Sequence, residues 1–267
     1  MSAEQTINFS TVYGPVKSWR YGRSLGIDPI GQVSICSFNC VYCQLGEIER
    51  KIRDRALFIP TEKILQDLQN FAPWDVDVIT LSGSGEPTLA LNLAEILAAI
   101  KKLTKRPTLV LTNATLLSDP DVRAALGLAD QISVKIDGIS AEQIRRVNRP
   151  VPELDLVNIG ENIAQFRQEY AGRLGIQTML LTQWDANTKA EYLRIIQSIA
   201  PDEIQLNTPT RPKPLKHELD GRENHSKGEN RPYEVRSIKC VSPNYLQEFA
   251  TEINRATGIS VRYAPIG

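Results

Sequence analysis

Short apolar runs rich in β-branched residues alternate with amphipathic stretches from residue 32 to about residue 207, and this alternation restricts the fold to one class. The runs are QVSIC (32–36), VDVITLS (76–82), PTLVLT (107–112), DQISVKI (130–136), GIQTMLLT (175–182) and DEIQLNT (202–208). Strands that read as near-continuous apolar runs are buried on both faces, so the pattern predicts a parallel sheet covered by helices. Six βα units are too few to close an eight-stranded barrel and suit an open, curved one. Function is then expected where the βα loops gather, at the C-terminal ends of the strands. Helix start signals fall between the runs: Thr61 opening TEKILQDLQNF, Ser118 with Pro120, and the capping box SAEQ at 140–143.

Two segments lie outside this scheme and suggest three parts, 1–31, 32–207 and 208–267. The first 31 residues, rich in Gly, aromatic and basic side chains, read as an ordered lead-in loop. From Thr208 to Lys239 the chain is charged and lacks apolar periodicity, which marks a functional lid or a disordered excursion. A last helix opens at Ser242 and Pro243 and closes the barrel, followed by the strand-like ISVRY. The 31 basic residues balance the 31 acidic ones, so total charge gives no argument for nonspecific nucleic-acid binding. No apolar run is long enough to cross a bilayer and the N-terminus lacks a signal-peptide layout, so a cytoplasmic protein without a membrane partner is expected.

CSFNCVYC places Cys36, Cys40 and Cys43 within eight residues. Their loop follows the first run, at the rim where such a fold carries its chemistry. A structural zinc site wants four closed ligands, and neither a second Cys pair nor a nearby His is present. A four-iron cluster held by three thiolates would keep one iron open to another ligand. Three unligated cysteines remain the plain alternative. Cys240 is isolated and reads as an ordinary thiol, and His217 and His225 read as solvent residues of the charged segment.

The Cys-x3-Cys-x2-Cys spacing, its place after a first strand, and the aromatic Tyr42 before the last cysteine resemble the radical SAM superfamily. That resemblance implies a partial (β/α)6 barrel in which Cys36, Cys40 and Cys43 hold a 4Fe-4S cluster. It further implies that the open iron binds S-adenosyl-L-methionine, whose reductive cleavage yields a 5'-deoxyadenosyl radical that abstracts hydrogen from a substrate. A reductant such as flavodoxin or ferredoxin would supply the electron.

Further motifs extend the likeness. SGSGEPTL (82–89) follows the second run, and its glycines allow close backbone approach while Glu86 offers an anion to an ammonium group. It resembles the family's Gly-Gly-Glu motif, with Ser84 where a glycine is common, which implies cofactor contacts from Gly83, Ser84, Gly85 and Glu86. In the same way Tyr42 is expected against the adenine, and Asn113 corresponds to a Thr-Asn-Gly segment in which Ala114 replaces the glycine. Ser133, Lys135 and Asp137 share one strand face, and polar side chains suit the barrel interior better than a helix-covered side. Related proteins contact the cofactor from such positions. Gln177, Met179 and Asn207 are placed to line the same cavity.

GPVKSWRYGRSLGID, TNATLLSDPDV, NRP (148–150) and LNTPTRP (206–212) resemble the group that includes the tRNA wyosine-synthesis enzymes, and Lys17 is a candidate for their substrate-binding lysine. Residues 1–35 contain no cysteine for those enzymes' second cluster, so a different substrate is expected. A tRNA or nucleotide substrate is one reading, with Arg20, Arg23, Arg145, Arg146 and Arg149 as phosphate contacts if they cluster. A protein or peptide substrate docked by residues 208–239 is the second, and a non-catalytic iron-sulfur module is the third.

Overall fold

The strand-helix alternation is realised as one curled sheet. In the computed structural model, which describes residues 9–156, 158–223 and 231–264, strands β1 (Val12–Ser18) and β2 (Gly22–Ile27) form an antiparallel hairpin. Then follow β3 (Val78–Leu81), β4 (Thr108–Thr112), β5 (Gln131–Lys135), β6 (Arg173–Met179), β7 (Glu203–Asn207) and β8 (Ser260–Tyr263). Spatial order equals sequence order, and each neighbouring pair from β2 to β8 is parallel. The curl is visible in one contact. Tyr21, in the β1–β2 turn, donates its hydroxyl hydrogen to Oε1 of Gln205 on β7 at 3.1 Å, across the interior of the open barrel.

Helices α1 (Thr61–Gln69), α2 (Leu93–Thr104), α3 (Pro120–Leu126), α4 (Ala141–Val147), α5 (Ile159–Glu169), α6 (Ala186–Ile199) and α7 (Pro243–Thr257) follow in chain order. Helix α2 buries Leu93, Ile96, Leu97 and Ile100, a spacing of three and four residues that forms one stripe. These side chains join Ile79, Leu81, Val110, Ile132, Val134 and Ile176 of the strands in a continuous core. Ser140 and Ser242 accept hydrogen bonds from the amides of Gln143 and Tyr245, both at 3.2 Å, each cap stabilising its helix by about 1 kcal/mol. For α3 the cap is Asp119, not Ser118, and at α1 Thr61 begins the helix without a side-chain cap.

The expectation that the sheet starts at residue 32 is corrected. The first parallel strand is β2, GRSLGI, and the lead-in is a hairpin whose strand β1 forms one edge of the sheet. Gly26 explains why this strand lacks a β-branched pattern: a Cβ there would lie 2.2 Å from the ring of Tyr13 on β1. Of the QVSIC run only Ile35–Cys36 is extended, paired with Arg50–Lys51. Ile35 is tied instead to the turn after β3, its amide donating to the Ser84 carbonyl (2.8 Å) and its carbonyl accepting from the Glu86 amide (3.1 Å).

The described part of the charged segment is ordered by short pairings. Lys213–Pro214 pairs with Val235–Arg236, and a single 3-10 turn spans Leu219–Arg222. Its backbone lies on the cysteine loop, where the Glu218 amide donates to the Leu45 carbonyl at 2.9 Å. The glycines that permit this approach are Gly46 and Gly221, whose Cβ atoms would fall 1.8 Å from the Lys216 carbonyl oxygen and 1.9 Å from that of Gln44. His225 lies outside the described residues.

Candidate active site

A cavity of about 290 Å³ opens at the C-terminal ends of the strands, near the lower end of the range for cofactor sites. Cys36, Cys40 and Cys43 line it, together with Gly83, Gly85, Glu86, Asn113, Lys135 and Asp137. The cysteine loop is seated on the end of α4 by backbone bonds. Asn39 and Val41 donate to the carbonyls of Asn148 and Val147 at 2.9 Å each, and Val151 donates to that of Ser37 at 3.0 Å. Phe38 packs with Ile144 and Leu156 beneath the loop.

The three sulfurs are half-buried, and two of them receive side-chain N–H groups. Asn148 Nδ2 lies 3.4 Å from Cys40 Sγ and Asn113 Nδ2 lies 3.7 Å from Cys36 Sγ, while the Phe38 amide is 3.4 Å from Cys36 Sγ. Burial pushes the Cys40 thiol up to about 11 and raises Cys36 and Cys43 as well. Loading with metal therefore displaces protons. Among the described residues no three His, Cys, Asp or Glu side chains converge to hold a single metal ion. Thiols spread along one cavity wall, with donors aimed at sulfur, fit a polynuclear iron-sulfur cluster better than tetrahedral zinc.

Glu86 ends the turn after β3 and is almost wholly buried. Its Oε1 accepts from the Thr88 amide (3.1 Å), Thr88 Oγ1 (2.8 Å) and Thr112 Oγ1 (2.7 Å), and its Oε2 from the Asn113 amide (2.8 Å). Burial raises its pKa in spite of these bonds, so a cation reaching this carboxylate would offset a real desolvation cost. Gly85 sits beneath Ile35, where a Cβ would fall 1.7 Å from the carbonyl oxygen. Ala114 has φ of 65°, the left-handed conformation that accounts for the glycine of the Thr-Asn-Gly pattern.

Tyr42, Lys135, Asp137 and Asn148 form one network. The Tyr42 hydroxyl donates to Asp137 Oδ2 and accepts from Lys135 Nζ at 2.9 Å. Asn148 Nδ2 donates to the same carboxylate oxygen at 2.8 Å, and the Met179 amide to Oδ1 at 2.9 Å. Tyr42 is thus a buried aromatic held by a polar end, with the Lys135 ammonium 4.6 Å from its ring centroid. Burial and then the Asp137 charge raise its pKa well above the phenol range.

Two expected site residues are placed elsewhere. Ser84 is fully buried outside the cavity wall, its amide and Oγ donating to Asp28 Oδ2 at 2.9 and 2.6 Å. Ser133 faces the barrel interior below Lys135 but is not part of the wall, and its buried Oγ has no partner among the described residues. Gln177, Met179 and Asn207 do line the cavity. Of the five arginines considered, only Arg20 does: Arg23 pairs with Asp75 at 2.6 Å, and Arg145, Arg146 and Arg149 are exposed near the end of α4. Lys17 is exposed on β1, away from the wall. The structure adds Arg211, which stood in the quoted LNTPTRP without being singled out, and Arg222, which no local pattern marks. His217 is not a solvent residue. Its Nδ1 lies 3.0 Å from Glu49 Oε2 and burial lowers its pKa. Cys240 is exposed, with Sγ 2.8 Å from the Pro209 carbonyl oxygen.

A model of the radical SAM superfamily matches residues 33–166, half of the chain, which spans the cysteine loop, the Glu86 turn and the Lys135–Asp137 strand end. The chain belongs to this superfamily, whose members are enzymes that use a 4Fe-4S cluster and S-adenosylmethionine. A UPF0026 protein from Synechocystis is 59% identical over 258 residues, 97% of each chain. A probable GTP 3',8-cyclase from Saccharolobus islandicus is 31% identical over 128 residues, 48% of this chain and 40% of its own length. The structure of Streptococcus suis SuiB bound to precursor peptide SuiA superposes with a TM-score of 0.62 at 16% identity, over 91% of this chain and 48% of SuiB. The chain thus spans about half of SuiB, and the likeness concerns the fold. Among the described residues no helix is long and apolar enough to cross a membrane.

Proposed function

We propose that this chain cleaves S-adenosylmethionine reductively at a cluster held by Cys36, Cys40 and Cys43 and acts on a substrate of the nucleotide or nucleic-acid class. The observation that carries the reading is the single cavity walled by three half-buried thiols and the Glu86 carboxylate. When bound, the cluster supplies the electron that splits the sulfonium, giving the 5'-deoxyadenosyl radical that takes hydrogen from substrate. The chain's own residues hold and orient. Asn148 and Asn113 donate toward sulfur, Glu86 provides the anion for the cofactor's ammonium, and Gly83 and Gly85 line the cavity beside it, their missing side chains making room for Asp28 and the Ile35 carbonyl. Tyr42, fixed by Asp137 and Lys135, presents a flat apolar face suited to a nucleobase ring. Enclosure of these groups excludes water and keeps reactants in register.

Arg20, Arg211 and Arg222 on the cavity wall support a phosphate-bearing substrate, as does the similarity to a probable GTP 3',8-cyclase. The resemblance of GPVKSWRYGRSLGID and LNTPTRP to the tRNA wyosine-synthesis group supports the same class, and residues 1–35 of the sequence contain no cysteine. A flavodoxin or ferredoxin is the expected electron donor. The test is anaerobic reconstitution, dithionite reduction and quantification of 5'-deoxyadenosine with tRNA, with a mixture of nucleoside triphosphates, and with neither. Stimulation by either nucleic component is expected. Cleavage indifferent to both would turn the substrate assignment toward peptides.

A further inference from the structure

Three arginines line the cavity, and among the described residues one of them has an ion pair. Arg222 lies 3.2 Å from the buried Asp28 carboxylate and 5.0 Å from the Phe9 and Tyr13 ring centroids, so its charge has a partner. Arg20 and Arg211 have no ion pair among the described residues. The Nε of Arg20 is enclosed without a hydrogen-bond partner, and its guanidinium lies 5.6 Å from the Trp19 ring. Arg211 donates one long bond, 3.4 Å from Nη1 to the Glu223 carbonyl oxygen. Burial and the positive charges of Arg20 and Arg231 push Arg211 down to about 10, and burial also lowers Arg20.

Two half-buried like charges, without an ion pair among the described residues, oppose folding unless an anion joins them. The two side chains arrive from distant parts of the chain, Arg20 from the β1–β2 turn and Arg211 from the segment after β7, and both face the cavity. Guanidinium forks match the oxygens of a phosphoryl group in pairs, and a dianion suits two of them. Arg222, on the same cavity wall, is already committed to Asp28, and Arg231 adds a further positive charge near Arg211.

We propose that Arg20 and Arg211 form a binding site for a phosphoryl group of the substrate, within the same cavity as the three thiols. The assignment rests on the reading of the substrate as nucleotide-bearing and gives that reading its recognition element.

The test is isothermal titration of the full chain with inorganic pyrophosphate, beside malonate as a carboxylate dianion. Wild type is expected to bind pyrophosphate more tightly than malonate. Arg20→Gln and Arg211→Gln should each weaken pyrophosphate roughly tenfold or more, the loss of one charge-assisted contact. Arg23→Gln, whose arginine pairs with Asp75 outside the cavity, should bind as wild type does. Arg211→Gln should also unfold at the same or a higher temperature than wild type, because an uncompensated charge is removed; Arg211→Lys, which keeps charge and loses the fork, should weaken binding. Absence of pyrophosphate binding, equal affinity for malonate, or indifference to both Gln substitutions would overturn the site. Cleavage of S-adenosylmethionine by wild type is measured separately. Arginine-dependent binding without cleavage would overturn the enzymatic reading and leave the site, and cleavage without such binding would remove the site alone.

Discussion

The ammonium of Lys213, with no exposed side-chain surface, lies 2.7 Å from Oε1 of Glu47 and 3.4 Å from the carbonyl oxygen of Cys40. A lysine of the charged segment thereby fastens the cysteine loop at both the backbone of its second cysteine and its far end. Asn39 Nδ2 holds the other oxygen of Glu47 at 2.6 Å, and although burial alone would raise this carboxyl, the bonds from Lys213 and Asn39 bring it below the usual range.

The pair should respond asymmetrically to mutation. Glu47→Ala leaves a buried ammonium without its counter-ion and should cost about 3 kcal/mol, the low end for broken buried pairs because Glu47 itself is 43% exposed. Lys213→Met removes the charge with the volume nearly kept and should cost less than about 1 kcal/mol. Urea unfolding of both metal-free variants measures the difference; equal losses would contradict it.

Gly85 sets how closely the Cys36 backbone approaches the Glu86 turn. Gly85→Ala places a methyl against the Ile35 carbonyl and should cost about 2 kcal/mol or more, with iron content after reconstitution falling in parallel. Unfolding and iron assay together check it, and a variant with native stability and iron would contradict the close packing.

Glu86→Gln keeps the shape of the side chain but turns an NH2 group toward donors that now face a carboxylate. It should retain the cluster and bind S-adenosylmethionine roughly tenfold or more weakly, as expected for losing a charge-assisted bond. Equilibrium dialysis on the reconstituted variant provides the readout.

His217 gives a pH dependence with a defined sign. Burial lowers its pKa despite Glu49, so the unfolded chain takes up the proton first. Its contribution to stability is present above about pH 6.5 and is lost as pH falls below that value. His217→Gln should flatten the stability profile in this interval, measured by thermal unfolding at a series of pH values.

The parallel sheet and the reactive loop were legible because each leaves a local signature. Apolar runs mark strands covered on both faces, and Cys36, Cys40 and Cys43 declare themselves by spacing alone. Strand β2 was hidden because its place depends on Gly26 lying under Tyr13, a relationship between two strands and not within one. The QVSIC run misled for the opposite reason: its β-branched composition is used to lay Ile35 across the Glu86 turn, not to enter the barrel. Asn148 stood within the quoted NRP segment, yet its bonds to Cys40 and Asp137 span 108 and 11 positions. Ser84 occupies a cofactor-motif position and serves Asp28 instead, and Arg211 and Lys213 reach the site from a segment whose charge pattern says nothing of direction.

The central claim is that three thiolates hold a cluster with one iron open to S-adenosylmethionine, and electron paramagnetic resonance tests it most directly. The reconstituted, dithionite-reduced chain should show the signal of a 4Fe-4S cluster, and adding S-adenosylmethionine should change that signal as a new ligand joins the open iron. Cys40→Ala should show neither the cluster nor the change, while Cys240→Ala should show both. A cluster whose spectrum is indifferent to S-adenosylmethionine, or one that persists in Cys40→Ala, would contradict the account.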